Sequence, residues 1–307
     1  MTVGILGSGF GLYGYLPAAL SLGERVVMPA RTRDTLLGRA DVRPFDAQVE
    51  WVADDDAVLR RATTLVVGRR PADQVAIAAA ARRIASVGRL LLEKPLAPGP
   101  DEALRLLAES REAGKTLRVG YTFRETPWAA RLSRWLAGAS PGAALDVTWR
   151  FLAHHYAGDV ETWKRRPAEG GGALRFFGIQ VIGLLAELGY DDAVRSRVTG
   201  EDAAARWEAT FTRRGGWPCR VVVDSRDANT EFTVAGSDPG NPPFDLRVAE
   251  PFADVATDGA LDRRVPLLSG ILAALIAPAA ETPPWYLASA ALWRRAEDVG
   301  SIPEDTR

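Results

Sequence analysis

The sequence has little of the side chains that most often carry metal, redox and acid–base chemistry. Cys219 is the single cysteine in 307 residues, which excludes an intrachain disulfide and a cysteine-built zinc site. The two histidines, His154 and His155, are adjacent, so few imidazole-based schemes are open to the chain. Lysine is almost as scarce. Lys94, Lys115 and Lys164 stand among 38 Lys and Arg residues, and a lysine kept against such a bias is informative. No apolar run approaches the roughly 18 residues of a membrane helix, so no membrane association is expected. The net charge of −1 gives no electrostatic footprint for nucleic acid. The opening Met1-Thr2-Val3-Gly4-Ile5-Leu6 has no basic stretch before it, so the expectation is no signal peptide and a cytoplasmic protein. A hydrophobic fraction of 47% and a charged fraction of 25% are ordinary for a globular chain, and the length argues for two domains.

Up to residue 120, short apolar runs alternate with helical patterns. Strands are expected at 3–6, 25–28, 49–52, 64–67, 89–93 and 117–120. Helices are expected at 11–22, 54–61, from 71 to about 86, and at 101–113. Repeated βα units of this length predict an α/β fold, an N-terminal Rossmann-type doubly wound parallel sheet over 1–120. Beyond that the texture changes. Helices are expected at 127–136 and 172–188. Alternating runs at 145–153, 205–213, 219–225, 231–235 and 246–249 read as strands separated by turns. They predict an α+β domain over 121–307 with an open-faced, mainly antiparallel sheet. Terminal helices at 267–276 and 285–299 are expected to pack back toward the first domain.

The first strand runs into Gly7-Ser8-Gly9-Phe10-Gly11-Leu12-Tyr13-Gly14. A strand, a G-x-G turn and a helix form the setting of a dinucleotide site. Gly7 permits the tight turn, Gly9 admits the pyrophosphate to the backbone, and the helix start offers free N–H groups. Leu12 stands where the third glycine would be. The second strand ends in Pro29-Ala30-Arg31-Thr32-Arg33. An acidic residue here would bond a ribose 2′-hydroxyl, whereas arginine takes a 2′-phosphate, so NADP is expected, with NAD as the alternative. The cofactor set read from these two segments is Gly7, Gly9, Phe10, Gly11, Arg31, Thr32 and Arg33, to which the loop after the fifth strand adds Glu93 and Lys94.

The fifth strand runs into Leu92-Glu93-Lys94-Pro95-Leu96. Such a loop, about ninety residues after a G-x-G turn, resembles the Gfo/Idh/MocA oxidoreductase family. Further matches are Leu16-Pro17, Val119-Gly120-Tyr121 with Arg124 and Pro127, and Trp163-Lys164-Arg165 followed by Gly170-Gly171-Gly172-Ala173-Leu174. The resemblance covers the whole chain. It implies a Rossmann domain joined to an open-faced sheet domain, NAD(P)-dependent hydride transfer on sugars or related polyols, and association through the open sheet face. A homo-oligomer, most simply a dimer, is therefore expected. It also implies that Lys94 reaches the substrate hydroxyl and the nicotinamide end of the cofactor.

The sequence departs from the family where the chemistry is usually placed. The family's Asp, His and Asp on one helix face correspond to Phe176, Gln180 and Gly183. Gln180 can hydrogen-bond a hydroxyl or carbonyl but cannot take up a proton. Two other histidines frequent in the family are replaced, one by Tyr15 and one near Gln74. The remaining proton carriers are Lys94, Tyr121 and either His154 or His155. As neighbours on an extended strand end, only one of the two histidines would face a site. His155, with Tyr156 and Asp159 as neighbours, completes the catalytic set of Lys94, Tyr121 and His155. Gln180, Trp163, Lys164 and Arg165 are the substrate-binding set, and the cations lean toward an anionic or phosphorylated carbohydrate. Two other functions fit the missing row. One is a non-catalytic dinucleotide-binding sensor or partner protein. The other is a cofactor-recycling elimination or hydrolysis on a sugar.

Overall fold

The computed structural model describes residues 1–200, 204–257 and 259–300. These residues form two compact units. The first takes residues 1–97, 105–125 and 255–283, and the second takes 98–104, 126–254 and 284–300. The division therefore differs from a single cut at residue 120. Among the described residues no helix is long and apolar enough to cross a membrane.

The first unit is built on six parallel strands: β1 (Thr2–Leu6), β2 (Arg25–Pro29), β3 (Val49–Val52), β4 (Thr64–Val67), β5 (Arg89–Leu92) and β6 (Thr116–Val119). They lie in the order β3-β2-β1-β4-β5-β6. The order reverses between β1 and β4, and in doubly wound sheets the ligand crevice lies outside the strand ends at that point. β4 is buried along its whole length, as expected for a parallel strand covered on both faces. The helices here are α1 (Leu16–Ser21), α2 (Arg33–Leu37), α3 (Asp55–Arg61) and α4 (Pro71–Arg82), followed by α5 (Pro100–Glu112). Asp54 caps α3, its carboxylate accepting from Ala57 N at 2.7 Å.

In the second unit α6 (Pro127–Ala137), β7 (Ala144–Leu152), α7 (His154–Ala157) and α8 (Ile179–Glu187) precede five strands. These are β8 (Tyr190–Thr199), β9 (Arg206–Arg213), β10 (Trp217–Asp224), β11 (Arg226–Ser237) and β12 (Phe244–Val248). The sheet order is β12-β11-β7-β10-β9-β8. Every pairing is antiparallel except β7 with β10, which is parallel in the register Leu145↔Cys219. One face buries Val147, Trp207, Phe211, Val221, Val223, Phe232 and Val234. The other carries the paired charges Arg150–Glu231, Arg206–Glu208 and Arg206–Asp224.

β8 has no counterpart among the expected strands. Register shifts between Tyr190 and Asp192 and between Ala193 and Arg195 break its alternation, and the charged residues then read as a loop. The last two helices, α9 (Val265–Ile276) and α10 (Trp285–Asp298), fall in different units. α9 carries Leu268, Ile271, Leu272 and Leu275 on one stripe, and these join Val3, Ile5, Leu16, Val66 and Leu91 in the first unit's core. Burying four such side chains contributes up to about 8 kcal/mol, which explains why this late segment belongs to the first sheet. α10 packs on α8 and β8.

Candidate functional site

At the reversal point of the first sheet, the turns after β1 and β4 meet. A Cβ on Gly7 would lie 2.5 Å from the Gly68 carbonyl oxygen, so only glycine permits this approach. Gly9 is exposed and nothing lies within 4 Å of where its Cβ would stand, leaving bare backbone open to a ligand. Leu12 is fully buried in the core, within a wide π-type turn at Gly11–Tyr15. The close contact moves to Gly14, whose Cβ would come within 2.6 Å of the Phe10 ring and 3.0 Å of Leu268. The departure at Leu12 therefore shifts the glycine requirement by two residues and keeps the cradle. An anion-accepting turn at the crevice of a Rossmann sheet fits a dinucleotide pyrophosphate.

The arginines after β2 are both engaged. Arg31 donates to Asp55, on the first turn of α3, and Arg69 reaches the same carboxylate at 3.3 Å. Arg33 makes two bonds to Asp46, at 2.8 and 2.7 Å, and Trp51 donates to Asp46 as well. Thr32 is buried and its hydroxyl donates to the Pro29 carbonyl, so it closes the turn.

The loop after β5 is held by a buried amide. Gln74 Nε2 donates to the carbonyls of Glu93 (2.7 Å), Pro95 (3.2 Å) and Leu96 (3.1 Å), and its Oε1 accepts from Glu93 N at 2.8 Å. The Lys94-Pro95 peptide is cis. The Tyr15 hydroxyl donates to Glu93 Oε1 at 2.5 Å, and Lys94 N donates to Oε2 at 3.2 Å. Burial pushes the Glu93 carboxyl above the usual carboxylate range, against the pull of Lys94, the Tyr15 hydroxyl and Arg264. A Cβ on Gly120 would collide with Glu93 Oε1 and lie 2.6 Å from the Tyr15 hydroxyl. Tyr121, next in the chain, is buried. The first unit thus gathers Gly7, Gly9, Phe10, Gly11, Glu93, Lys94 and Tyr121 at the carboxyl ends of β1, β5 and β6.

Arg264, from the segment that returns to this unit, adds a cation. Its Nε and Nη2 bond both oxygens of Asp262 at 2.8 Å, and its guanidinium lies 4.2 Å from the Phe10 ring centre. Burial would lower the Arg264 pKa, but the Asp262 hydrogen bond and charge raise it instead. Arg39 stands 4.7 Å from the Tyr13 ring centre. Both aromatic side chains of the glycine turn therefore carry a guanidinium.

The second unit assembles a separate group. His154 and His155 lie on the short helix α7, not on the strand end that was expected. The ladder ends when Ala153 N bonds Ser225 O, and the chain then turns. His154 is exposed and His155 is fully buried. The His155 ring lies 6.1 Å from Phe177 and 4.6 Å from Tyr156. Asp159 does not meet it; that carboxylate pairs with Arg165 at 3.1 Å. Arg165 also donates to the His155 carbonyl and lies 4.8 Å from the Tyr156 ring. Trp163 meets Phe176 edge-on at 5.2 Å, and Lys164 Nζ is 5.4 Å from the Phe176 ring centre. Arg166 is turned away onto Glu161 and Glu169. Gln180 is buried one turn beyond Phe176, as is Gly183 farther along α8.

Neither ring nitrogen of His155 has a hydrogen-bond partner among the described residues. Burial, with His154, Lys164 and Arg165 nearby, pushes its pKa down from 6.5 to about 4. The unfolded chain therefore takes the proton first as pH falls. Stability is full above pH 6.5 and is lost as pH drops toward 4, by about 3 kcal/mol across the interval. Denaturant titrations between about pH 7 and about pH 4.5 are expected to give a flatter dependence for His155→Phe than for the wild type. Equal slopes would contradict this.

Sequence reading noted Tyr15 and Gln74 only as replacements and Gly120 only as part of a motif, and missed Asp55, Arg69 and Arg264. Gln74 left a signal: it shares the buried stripe of α4 with Pro71, Ala78 and Ala81. A polar side chain on such a stripe must serve buried polar groups. Arg264 left none, because its approach to the Phe10 ring joins residues far apart in sequence. Among the described residues no three His, Cys, Asp or Glu side chains cluster as a metal site.

No protein-family model matches the sequence, and no curated protein matches it. Solved structures do. GenD2 from gentamicin A biosynthesis, in complex with NAD, is 20% identical with a TM-score of 0.74, over 97% of this chain and 94% of that one. The chain shares its fold with this protein. KijD10, a 3-ketoreductase from Actinomadura kijaniata solved with NADP and TDP-benzene, is 18% identical with a TM-score of 0.71, over 98% of each chain. The WlbA dehydrogenase from Bordetella pertussis, solved with NADH and UDP-GlcNAcA, is 16% identical with a TM-score of 0.73, over 97% of this chain and 96% of that one.

Proposed function

We propose that this chain is a cytoplasmic NAD(P)-dependent oxidoreductase, NADP preferred, that transfers a hydride to or from a carbohydrate or sugar-derived substrate. The observation that carries the reading is the Glu93-Lys94 loop. A rare lysine follows Glu93, whose carboxylate accepts from Tyr15 and whose backbone is held by Gln74, in the same sheet whose first turn is a glycine cradle. Proteins of this fold solved with nicotinamide cofactors and nucleotide-linked ligands support it.

The nicotinamide ring, when bound, supplies or accepts the hydride. Gly7, Gly9, Phe10 and Gly11 hold the pyrophosphate, and Arg31 with Arg33 holds the 2′-phosphate, with Thr32 fixing their turn. Lys94 bonds the substrate oxygen at the carbon that changes oxidation state: its ammonium gives that oxygen a proton when the carbon gains hydride, and its neutral amine takes the hydroxyl proton when the carbon loses hydride. Glu93, with a raised carboxyl pKa, orients Lys94 and serves as its near proton partner. Tyr121 and His155 are the further proton carriers. Gln180 bonds a substrate hydroxyl. Trp163, Lys164 and Arg165 favour an anionic or nucleotide-linked sugar. The charged face of the second unit's sheet is the dimer surface in this reading.

Fluorescence titration with NADPH and NADH tests the cofactor assignment. NADPH is expected to bind more tightly, and Arg31→Ala to weaken it about tenfold while sparing NADH. Binding of neither nucleotide would refute the proposal. One observation favours a second reading. Phe176 and Gly183 offer no proton donor or acceptor, and Gln180 cannot ionise, which suits a non-catalytic dinucleotide-binding sensor.

A further inference from the structure

The ends of β2, β3 and β4, with β1 between β2 and β4, bring two guanidiniums onto one carboxylate. Arg31 follows β2, Asp55 follows β3 and Arg69 follows β4. Arg31 Nη2 donates to Asp55 Oδ1, and Arg69 Nη2 lies 3.4 and 3.3 Å from its two oxygens. Arg69 directly follows Gly68, the residue that meets the Gly7 turn, so topology sets this cluster beside the glycine cradle. The Arg69 side chain is only 26% exposed, and its buried Nε has no hydrogen-bond partner among the described residues. Two positive charges therefore share one negative charge, with a donor to spare. A carboxylate between two guanidiniums occupies the place of a phosphate between two guanidiniums.

We infer that Arg69 joins Arg31 and Arg33 as a third ligand of the cofactor's 2′-phosphate, and that Asp55 is its built-in competitor. Asp55 bonds both Arg31 and Arg69, the pair of guanidiniums that a tetrahedral oxyanion would take. An arriving 2′-phosphate takes both guanidiniums from it and gains the idle Nε–H of Arg69. A cofactor without that phosphate leaves the Arg31–Asp55–Arg69 cluster intact. Asp55 thus lowers affinity for the phosphorylated cofactor without touching the unphosphorylated one, which makes it a residue that sets specificity. The inference rests on the dinucleotide reading of the glycine turn.

The test uses the full chain and two probes that lack nicotinamide, adenosine 2′,5′-bisphosphate and AMP, beside NADPH and NADH. Calorimetric or fluorescence affinities are measured for wild type, Arg69→Ala and Asp55→Asn, with thermal unfolding to confirm folding. Arg69→Ala is expected to weaken the bisphosphate and NADPH about tenfold and to leave AMP and NADH nearly unchanged. Asp55→Asn is expected to tighten the bisphosphate and NADPH about fivefold or more, because a competing charge is removed and the shape is kept. Should Asp55→Asn instead weaken AMP and NADH and leave the bisphosphate unchanged, Asp55 accepts a ribose hydroxyl and the inference is wrong. An Arg69→Ala protein that binds the bisphosphate as the wild type does would also overturn it. A wild type that binds no nucleotide overturns this inference together with the dinucleotide reading, whereas the other two outcomes leave that reading standing.

Discussion

Lys94→Ala is expected to lower turnover by about 10²–10⁴-fold while leaving NADPH affinity nearly unchanged. The loss falls on kcat because the ammonium acts on the reacting oxygen, and that interaction strengthens as charge develops there. Among the described residues the groups around Glu93 do not replace it in kind. Glu93 carries the opposite formal charge, Tyr15 already gives its proton to Glu93 at 2.5 Å, and Arg264 is committed to Asp262 through two bonds of 2.8 Å. Lys94→Arg keeps the charge but spreads it over a larger planar group, so only partial recovery is expected. Stopped-flow kinetics and nucleotide titration on the same preparations separate the two effects. Turnover within a few-fold of wild type in Lys94→Ala would remove Lys94 from the chemistry.

Gln74→Leu is expected to cost about 2–4 kcal/mol of stability and to lower kcat as well. The shape of the side chain is nearly conserved, so the loss reports on hydrogen bonding. The amide serves one N–H and three carbonyls of residues 93–96, and the side chain is fully buried, so water cannot take its place. Released from Gln74, the backbone that carries Glu93 and Lys94 has several orientations open to it. Urea denaturation gives the first quantity and steady-state kinetics the second. Unchanged stability in the Gln74→Leu protein would show that the loop is held by its other contacts. Gly120→Ala strikes the same assembly from the opposite side, because the new methyl group displaces Glu93 from Tyr15.

The first sheet was legible because its strands are short apolar runs between turn signals. The expected limits 49–52 and 64–67 coincide with β3 and β4. The mixed second sheet was legible in kind but lost β8, whose bulges hide the alternation. Both terminal helices were expected to pack toward the first domain, whereas α9 lies in the first unit and α10 in the second. An apolar stripe announces burial but does not say against which sheet, since that is decided by long-range packing. The histidine pair shows the same limit. A strand pattern ending at residue 153 gives no notice that the next two residues turn into a helix and bury one imidazole while exposing the other. In the candidate site, the motif residues were visible as motifs. Their supports were less so: Gln74 and Tyr15 are recognisable only as polar groups where apolar ones belong, and Arg69, Asp55 and Arg264 only from contacts made in three dimensions.

Hydride transfer is the central claim, and isotope transfer measures it directly. NADPH carrying deuterium at the transferable position of C4 is incubated with the protein and a set of free and nucleotide-linked keto sugars, and the products are weighed by mass spectrometry. The account predicts a sugar product one mass unit heavier than that formed from unlabelled cofactor, and no such product from Lys94→Ala. Bound NADPH that keeps its deuterium throughout, in the wild type and in Gln180→His alike, would contradict the enzyme reading and favour a dinucleotide-binding sensor.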